Sequence, residues 1–279
     1  MLLQRLPGPP LDAVVERFWL GERAAQAHAR ERILPTGHAN LVLVLRQRDI
    51  VRYDRAEADQ PWRCRGGALQ GPHAESLVRG GTDEASLALG AQFTPGGAAA
   101  LFGVPMDDLA GRTVALHDLL GSEAEDLLDR LAAPRTQGAR LAVLEAWLRA
   151  RLLRRAQAPD ALMTWAAARF ANDPAWARVA PIQHASGLSP ARFIARFRQA
   201  VGLTPKRYAR VLRFQRALAL IPHEGRTDWA ALALEAGYGD QAHLAHEFRR
   251  CAGIAPTAYR PLSADQPNHV AVMHRPARP

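Results

Sequence analysis

Gly187-Leu188-Ser189-Pro190-Ala191-Arg192-Phe193-Ile194-Ala195-Arg196-Phe197-Arg198, closed by Gly202-Leu203-Thr204-Pro205 and Tyr208, returns later in the chain in altered form. The second version runs Gly237-Tyr238-Gly239-Asp240-Gln241-Ala242-His243-Leu244-Ala245-His246-Glu247-Phe248-Arg249-Arg250 and closes with Gly253-Ile254-Ala255-Pro256 and Tyr259. Both keep one order of features: an apolar helix, a turn containing glycine, a basic helix and a final Gly-x-x-Pro-x-x-Tyr. Val179 to Arg260 therefore holds two diverged copies of one unit.

A helix, a short glycine turn and a second helix with a basic outer face is the sequence form of a helix-turn-helix, whose second helix enters the DNA major groove. Two in tandem are far more specific than one. With both turns, Phe197 and Phe248 in the reading helices and both Pro-x-x-Tyr closers, the chain resembles the AraC/XylS family over roughly its last hundred residues. That resemblance implies a seven-helix module in which a long central helix joins the two units. Upstream, Arg32-Ile33-Leu34-Pro35-Thr36-Gly37, Gln92-Phe93-Thr94-Pro95-Gly96-Gly97 and Leu101-Phe102-Gly103-Val104-Pro105 resemble an uncharacterised domain that often precedes such modules, and the resemblance assigns that domain no role.

Charge divides the chain in the same place. The net charge is +9; residues 1–175 carry 21 arginines against 21 carboxylates, whereas residues 176–261 carry 13 cationic against 5 acidic side chains. A basic domain beside a neutral one is expected when only the first meets phosphates. A length of 279 residues with 48% hydrophobic content suffices for two cores. Cys64 and Cys251 are too few and too far apart for a disulfide framework or a zinc knuckle. No apolar run is long enough to span a bilayer, and the N-terminus lacks the apolar region of a signal peptide, so the expected location is the cytoplasm, away from membranes.

The N-terminal part reads as strands. Pro7, Pro9 and Pro10 predict an extended lead-in. Val14–Leu20, Asn40–Leu45, Ile50–Tyr53, Gly67–Gly71, Ser76–Val78 and Ser86–Phe93 carry branched and aromatic residues between Gly, Pro or Asp punctuation, the pattern of a small barrel or sandwich. From Pro95 onward helices take over: 98–103, then Leu116–Leu131 and Gly138–Arg155, separated by Pro134. The Arg149–Arg155 run reads as a solvated face. Ala161–Phe170 leads toward the reading module, and Asn172-Asp173-Pro174 is a turn and helix-start signal. The expected class is α+β, with a β-rich, barrel-like sensor or dimerisation domain over 1–160 that is helical after about 95, an all-α double helix-turn-helix domain over 161–262, and a flexible tail over 263–279.

Catalytic signatures are missing. His28, His38, His73 and His117 form neither a His-x-His pair nor an i, i+4 pair, so neither a metal site nor a cofactor is expected. The glycine pairs fit neither a Walker loop nor a Rossmann fingerprint, and no serine lies in Gly-x-Ser-x-Gly. Two alternatives remain. AraC-type modules also occur fused to DNA-alkylation repair enzymes, but those use a Cys-rich metal site that two distant cysteines cannot supply. A helical interaction scaffold predicts neutral repeat surfaces, against the concentrated positive charge here.

The reading is a sequence-specific, non-enzymatic transcriptional regulator that binds double-stranded DNA. Its candidate contact residues are Arg192, Arg196, Arg198, Lys206, Arg210, Arg213, Gln241, His243, His246, Arg249 and Arg250. Further expected partners are a small-molecule effector, a second copy of the chain and, for an activator, RNA polymerase. Thr204 should cap a connecting helix that begins at Pro205 and ends at Ile221, with Tyr208, Val211, Leu212, Gln215, Leu218 and Ala219 facing inward and Lys206, Arg210 and Arg213 forming a basic stripe. At roughly 1.5 Å per residue it runs for about 26 Å, compatible with holding two readers about one DNA turn apart, so one monomer should meet two adjacent major-groove segments.

The two readers should be unequal. Pro181 should make the first supporting helix short or late, and Gln183 stands where the second unit has small Ala233. Ala191, Ile194 and Ala195 occupy positions that the family aims at bases or phosphates, while the second unit offers Gln241, Ala242, His243 and His246 there, behind a good N-cap in Asp240.

Overall fold

The computed structural model describes residues 2–46, 49–155, 158–222 and 225–272. Nine strands come first: β1 (Leu2–Arg5), β2 (Val15–Arg23), β3 (Arg30–Ile33), β4 (Asn40–Val44), β5 (Asp49–Tyr53), β6 (Trp62–Arg65), β7 (Gly67–Gln70), β8 (Leu77–Gly80) and β9 (Ser86–Phe93). Then follow α1 (Gly97–Phe102), α2 (Met106–Leu109), β10 (Thr113–Ala115), α3 (Leu116–Leu120), α4 (Ser122–Ala132) and α5 (Gln137–Arg155). The C-terminal part consists of α6 (Ala161–Asn172), α7 (Val179–Ala185), α8 (Pro190–Val201), α9 (Pro205–Leu220), α10 (Trp229–Glu235) and α11 (Gln241–Ala252), a 3-10 turn at Pro256–Ala258, and β11 (His269–Ala271).

The strands make two antiparallel sheets that do not close into a barrel, in the orders β1-β2-β9-β4-β7-β10 and β11-β3-β8-β5-β6. In β4 the apolar run is half-buried by alternation: Leu41 and Leu43 point inward, opposite Ala91 and Leu89 of β9. That inward face meets α1, α4 and α5, whose Leu101, Leu127, Leu131, Leu141, Leu144 and Leu148 complete the largest core. The leucine spacing is the amphipathic stripe expected of helices that cover one sheet face.

Several sequence expectations are corrected. The helix expected over 116–131 breaks at Gly121, where φ is +58°, into α3 and α4. Arg151 does not belong to a solvated face: it is 7% exposed, donates to the Leu101 carbonyl at 2.9 Å, pairs with Glu123 at 2.8 Å and lies over the Phe102 and Trp147 rings. The expected flexible tail is ordered at its start, because β11 pairs with β3 through His269↔Ile33, Val270↔Arg32 and Ala271↔Glu31. β3, β6, β10 and the one-turn α2 were not expected from the sequence.

A buried ion cluster underlies the β3–β11 contact. Glu31 is 0% exposed and is met by Arg79 at 2.7 Å, Arg23 at 3.1 Å, His28 at 3.0 Å and His269 at 3.2 Å. Burial raises its pKa, but the hydrogen bond from His269 and the charge of Arg23, with His28, outweigh burial and hold the carboxyl below its usual range.

His73, 3% exposed in the turn after β7, gives the fold a pH dependence. Burial, resisted by the hydrogen bond to the Glu75 carbonyl at 2.7 Å and helped by the charge of Arg52, lowers its pKa from 6.5 to about 4. The folded chain keeps the ring neutral where the unfolded chain protonates it, so this contribution is intact above pH 6.5 and is lost as pH falls toward 4. The loss approaches about 3 kcal/mol. Denaturant midpoints at pH 7 and 5 should fall less for His73→Gln than for the native chain; equal falls would contradict this account.

Candidate nucleic-acid interface

Each helix-turn-helix unit is built on an aromatic cluster. In the first, Phe170, Phe197 and Tyr208 meet edge to face, with ring centroids 5.6 to 6.2 Å apart, and Phe193 lies 5.8 Å from Phe197. In the second, Phe248 meets Phe214 at 5.2 Å and Tyr259 at 5.9 Å. Phe197 and Phe248 are 0% exposed, so these reading-helix phenylalanines anchor α8 and α11 from beneath. Truncating such a residue to Ala costs about 3–5 kcal/mol.

The helix ends follow from local chemistry. Ser189 caps α8 by accepting from the Arg192 amide, Thr204 caps α9 from Arg207, and Asp240 caps α11 from His243 at 2.7 Å; Pro190 and Pro205 sit at the first helical position. Two glycines are required by both conformation and space. Gly202 ends α8 at φ +86°, where an added Cβ would lie 2.3 Å from the Pro72 ring; Gly237, also at φ +86°, would collide with the Ala175 carbonyl at 2.2 Å.

α9 begins and ends close to where its sequence placed it, over Pro205–Leu220. Its inward face differs in detail: Phe214 and Ala217 are buried, whereas Ala219 is exposed. α7 is short, seven residues with Pro181 in its first turn, but α10 also has seven, so helix length does not separate the two units. Gln183 remains a difference, since it donates to the Leu188 carbonyl across its turn while Ala233 is fully buried.

The eleven candidate contact residues divide into three groups. On α11, Gln241, His243, His246, Arg249 and Arg250 are all exposed. The Gly239 amide donates to His243 Nδ1 at 3.3 Å, and the ring lies edge-on to Tyr238 with centroids 5.3 Å apart. On α8, Arg192 and Arg198 are exposed and flank Ala195, with Arg198 3.9 Å from Asp107; Lys206, at the start of α9, is exposed as well.

The third group is engaged within the protein. Arg196 forks onto Asp160 at 2.5 and 3.0 Å, and Asp160 also caps α6 through the Leu162 and Met163 amides. Burial raises the Asp160 pKa, but the Arg196 and amide hydrogen bonds outweigh it and hold the carboxyl low. Arg210 is packed between α9 and α11 beside Glu247 at 3.7 Å, and Arg213 donates to the Ala175 carbonyl at 3.3 Å near the Tyr238 ring. The basic stripe expected along α9 is thus exposed only at Lys206.

Two features beside α8 escaped the sequence reading. Gln199 is an exposed hydrogen-bonding side chain one turn beyond Ala195, and continuing the i, i+4 spacing from Ala195 would have found it. An open groove of about 580 Å³ separates α8 from α2, with Arg192, Ala195, Arg196 and Gln199 on one side and Pro105, Asp107 and Asp108 on the other. The first reading helix therefore carries acidic neighbours from the N-terminal part.

Among the described residues no group of three or more His, Cys, Asp or Glu side chains is placed to hold a metal ion. Both cysteines are buried and lie in different parts of the fold, and burial pushes the Cys64 thiol up to about 11 and the Cys251 thiol up to about 12, which disfavours the thiolate needed for a nucleophile or ligand.

Comparison with known proteins adds the family. Residues 183–261 match a family described as a helix-turn-helix domain, and residues 3–115 match a domain of unknown function (DUF6597). The chain is 35% identical over 101 residues to the HTH-type transcriptional activator RhaS of Enterobacter sp. (strain 638), covering 36% of this chain and 34% of that one. It is 34% identical over 73 residues to an uncharacterized HTH-type transcriptional regulator of Haemophilus influenzae, covering 26% of this chain and 24% of the relative. The matched segments thus span about a third or less of these curated relatives. In fold the chain is similar to ToxT from Vibrio cholerae, with a TM-score of 0.50 and 9% identity over 87% of this chain and 97% of that one. The matches thus give an AraC-type helix-turn-helix domain over residues 183–261, behind a domain of unknown function over residues 3–115.

Proposed function

We propose that this protein is a sequence-specific regulator of transcription that reads double-stranded DNA with α8 and α11, each in one of two adjacent major-groove segments. The observation that carries the reading is the pair of capped helices, each anchored by a buried phenylalanine and turning exposed cationic or hydrogen-bonding side chains outward. In this reading Gln241, His243 and His246 meet base edges, while Arg192, Arg198, Lys206, Arg249 and Arg250 meet phosphates, with Arg249 one turn beyond Ala245 on the same helix. Arg196, Arg210 and Arg213 act indirectly by holding α8 and α9 in place. In this proposal the second reader dominates specificity, since α8 faces Asp107 and Asp108 across the open groove.

The same proposal divides the chain into an N-terminal sensor or dimerisation domain over 1–160 and a DNA-binding domain over 161–262. It gives the protein no catalytic role and a cytoplasmic location, with a second copy of the chain and RNA polymerase as further partners. Among the described residues no helix is long and apolar enough to cross a membrane. One ToxT structure is titled as bound to (E)-4-(8-methylnaphthalen-1-yl)but-3-enoic acid, and by analogy of fold we extend the proposal to a small organic acid as effector here.

Binding should weaken steeply with salt on bulk duplex DNA. Gln241→Ala should cost roughly 1–3 kcal/mol on the preferred site and relax selectivity at one base pair, whereas Arg192→Ala should weaken all sequences alike and reduce the salt slope by about one. Titrating both variants against the preferred duplex and its single-base variants checks the ranking, and base preference that shifts with Arg192→Ala but not with Gln241→Ala would reverse it. Replacing both Asp107 and Asp108 by Asn removes repulsion between α2 and phosphate and should tighten binding several-fold at low salt, on the order of 1 kcal/mol. Unchanged affinity at low salt would show that α2 lies clear of the bound duplex.

A further inference from the structure

The two reading units do not share a core: one is built around Phe197 and the other around Phe248, and α9 is the covalent link between them. Each core is completed by a residue from the N-terminal part. Ala74, 2% exposed, lies in the first core with Phe170, Phe197 and Tyr208; Leu34, 0% exposed, lies in the second with Phe214 and Phe248.

Two braces carry these residues. The first is the loop from Gly71 to Ser76, which touches both units within six residues: the Pro72 ring lies against Gly202 at the end of α8, Glu75 is 3.8 Å from Arg207 at the start of α9, and the Ser76 amide donates to the Cys251 carbonyl in α11 at 2.7 Å. The second is the segment after the second reader. The Asn268 carbonyl accepts from the Leu34 amide at 2.9 Å, and its side chain accepts from Gln215 of α9 at 2.8 Å. Gln215 also donates to the Pro35 carbonyl at 2.7 Å, and β11 follows at once, with Val270 in the second core and His269 on Glu31.

A single helix joining two small bodies leaves them free to bend and twist about it, because long helices curve readily. Contacts from a third body to both remove that freedom. DNA makes the consequence measurable, since each added base pair moves the next half-site by about 3.4 Å and turns it by about 35° about the axis. We propose that the N-terminal domain is a spacing gauge: through the Gly71–Ser76 loop and the 262–272 segment it fixes the distance and helical phase between α8 and α11, so that residues that never touch DNA decide which half-site separation is accepted. The inference rests on the reading of α8 and α11 as DNA-contacting helices.

The test uses the full chain and the duplex that it selects from a random pool, remade with one base pair inserted or removed between the two protected segments. The native chain should lose about tenfold or more in affinity on the altered spacings, comparable to losing specific contacts at one half-site. Gln215→Ala combined with Asn268→Ala removes the hydrogen bonds that tie α9 to the second brace without emptying a core, and should cut that penalty to about threefold or less while base preference within each segment is kept. Pro72→Ala, which only trims the contact with Gly202, should act in the same direction and serves if the double variant melts early. Variants as intolerant of altered spacing as the native chain would overturn the gauge and leave α9 alone in that role, with DNA reading intact. If the native chain selects no sequence at all, the reading of α8 and α11 fails, and the gauge with it.

Discussion

Neither helix-turn-helix unit closes its own core. Each is a few short helices around one or two phenylalanines, well below the size at which a chain segment buries enough apolar surface to stand alone. Leu34 and Ala74 supply what is missing, and both come from turns of the N-terminal part that are themselves pinned to the sheets. Much else depends on this. Pro72 must lie on Gly202, so α8 must end in the left-handed conformation there, and α2 is brought alongside the outward face of α8. The route of the chain after Tyr259 follows as well, because Val270 enters the second core only if the segment turns back to pair with β3.

What could be read from the sequence was what local chemistry decides. The caps at Thr204 and Asp240, the proline behind the first of them, and the glycines closing α8 and α11 act within a few residues of themselves and were found where expected, and the Ser189 cap with Pro190 behind it follows the same local chemistry. The apolar periodicity placed α5 and most of α9. What could not be read was set by partners far away in the chain. β11 is three residues long and exists because β3 is there to receive it. Arg151 and Arg210 look like surface cations by composition, but Glu123 and Glu247 lie on other helices and draw them inward. Gly121 broke a helix whose leucine spacing ran on through it.

The candidate interface divides along the same line. Exposed positions on α11 were legible from helical spacing alone, because once Leu244 and Phe248 face the core the opposite side is fixed. The proposed inequality between the readers has a different structural basis from the one that the sequence suggested. Supporting-helix length does not distinguish them, since α7 and α10 match; the acidic groove beside α8 does, and no local pattern predicts that Asp107 would meet Arg198.

The central claim is that the reading units and the N-terminal sheets form one cooperative structure. Native-state hydrogen exchange on the full chain tests it most directly, by comparing the opening free energies of amides in Phe193–Phe197 and Leu244–Phe248 with those of Leu41–Leu43 and Leu89–Ala91. The account predicts that the most protected amides of all four segments share one opening free energy, because losing Leu34 or Ala74 opens a reader only when the sheets let go. Reading helices that open at a markedly lower free energy, while β4 and β9 stay protected, would contradict it.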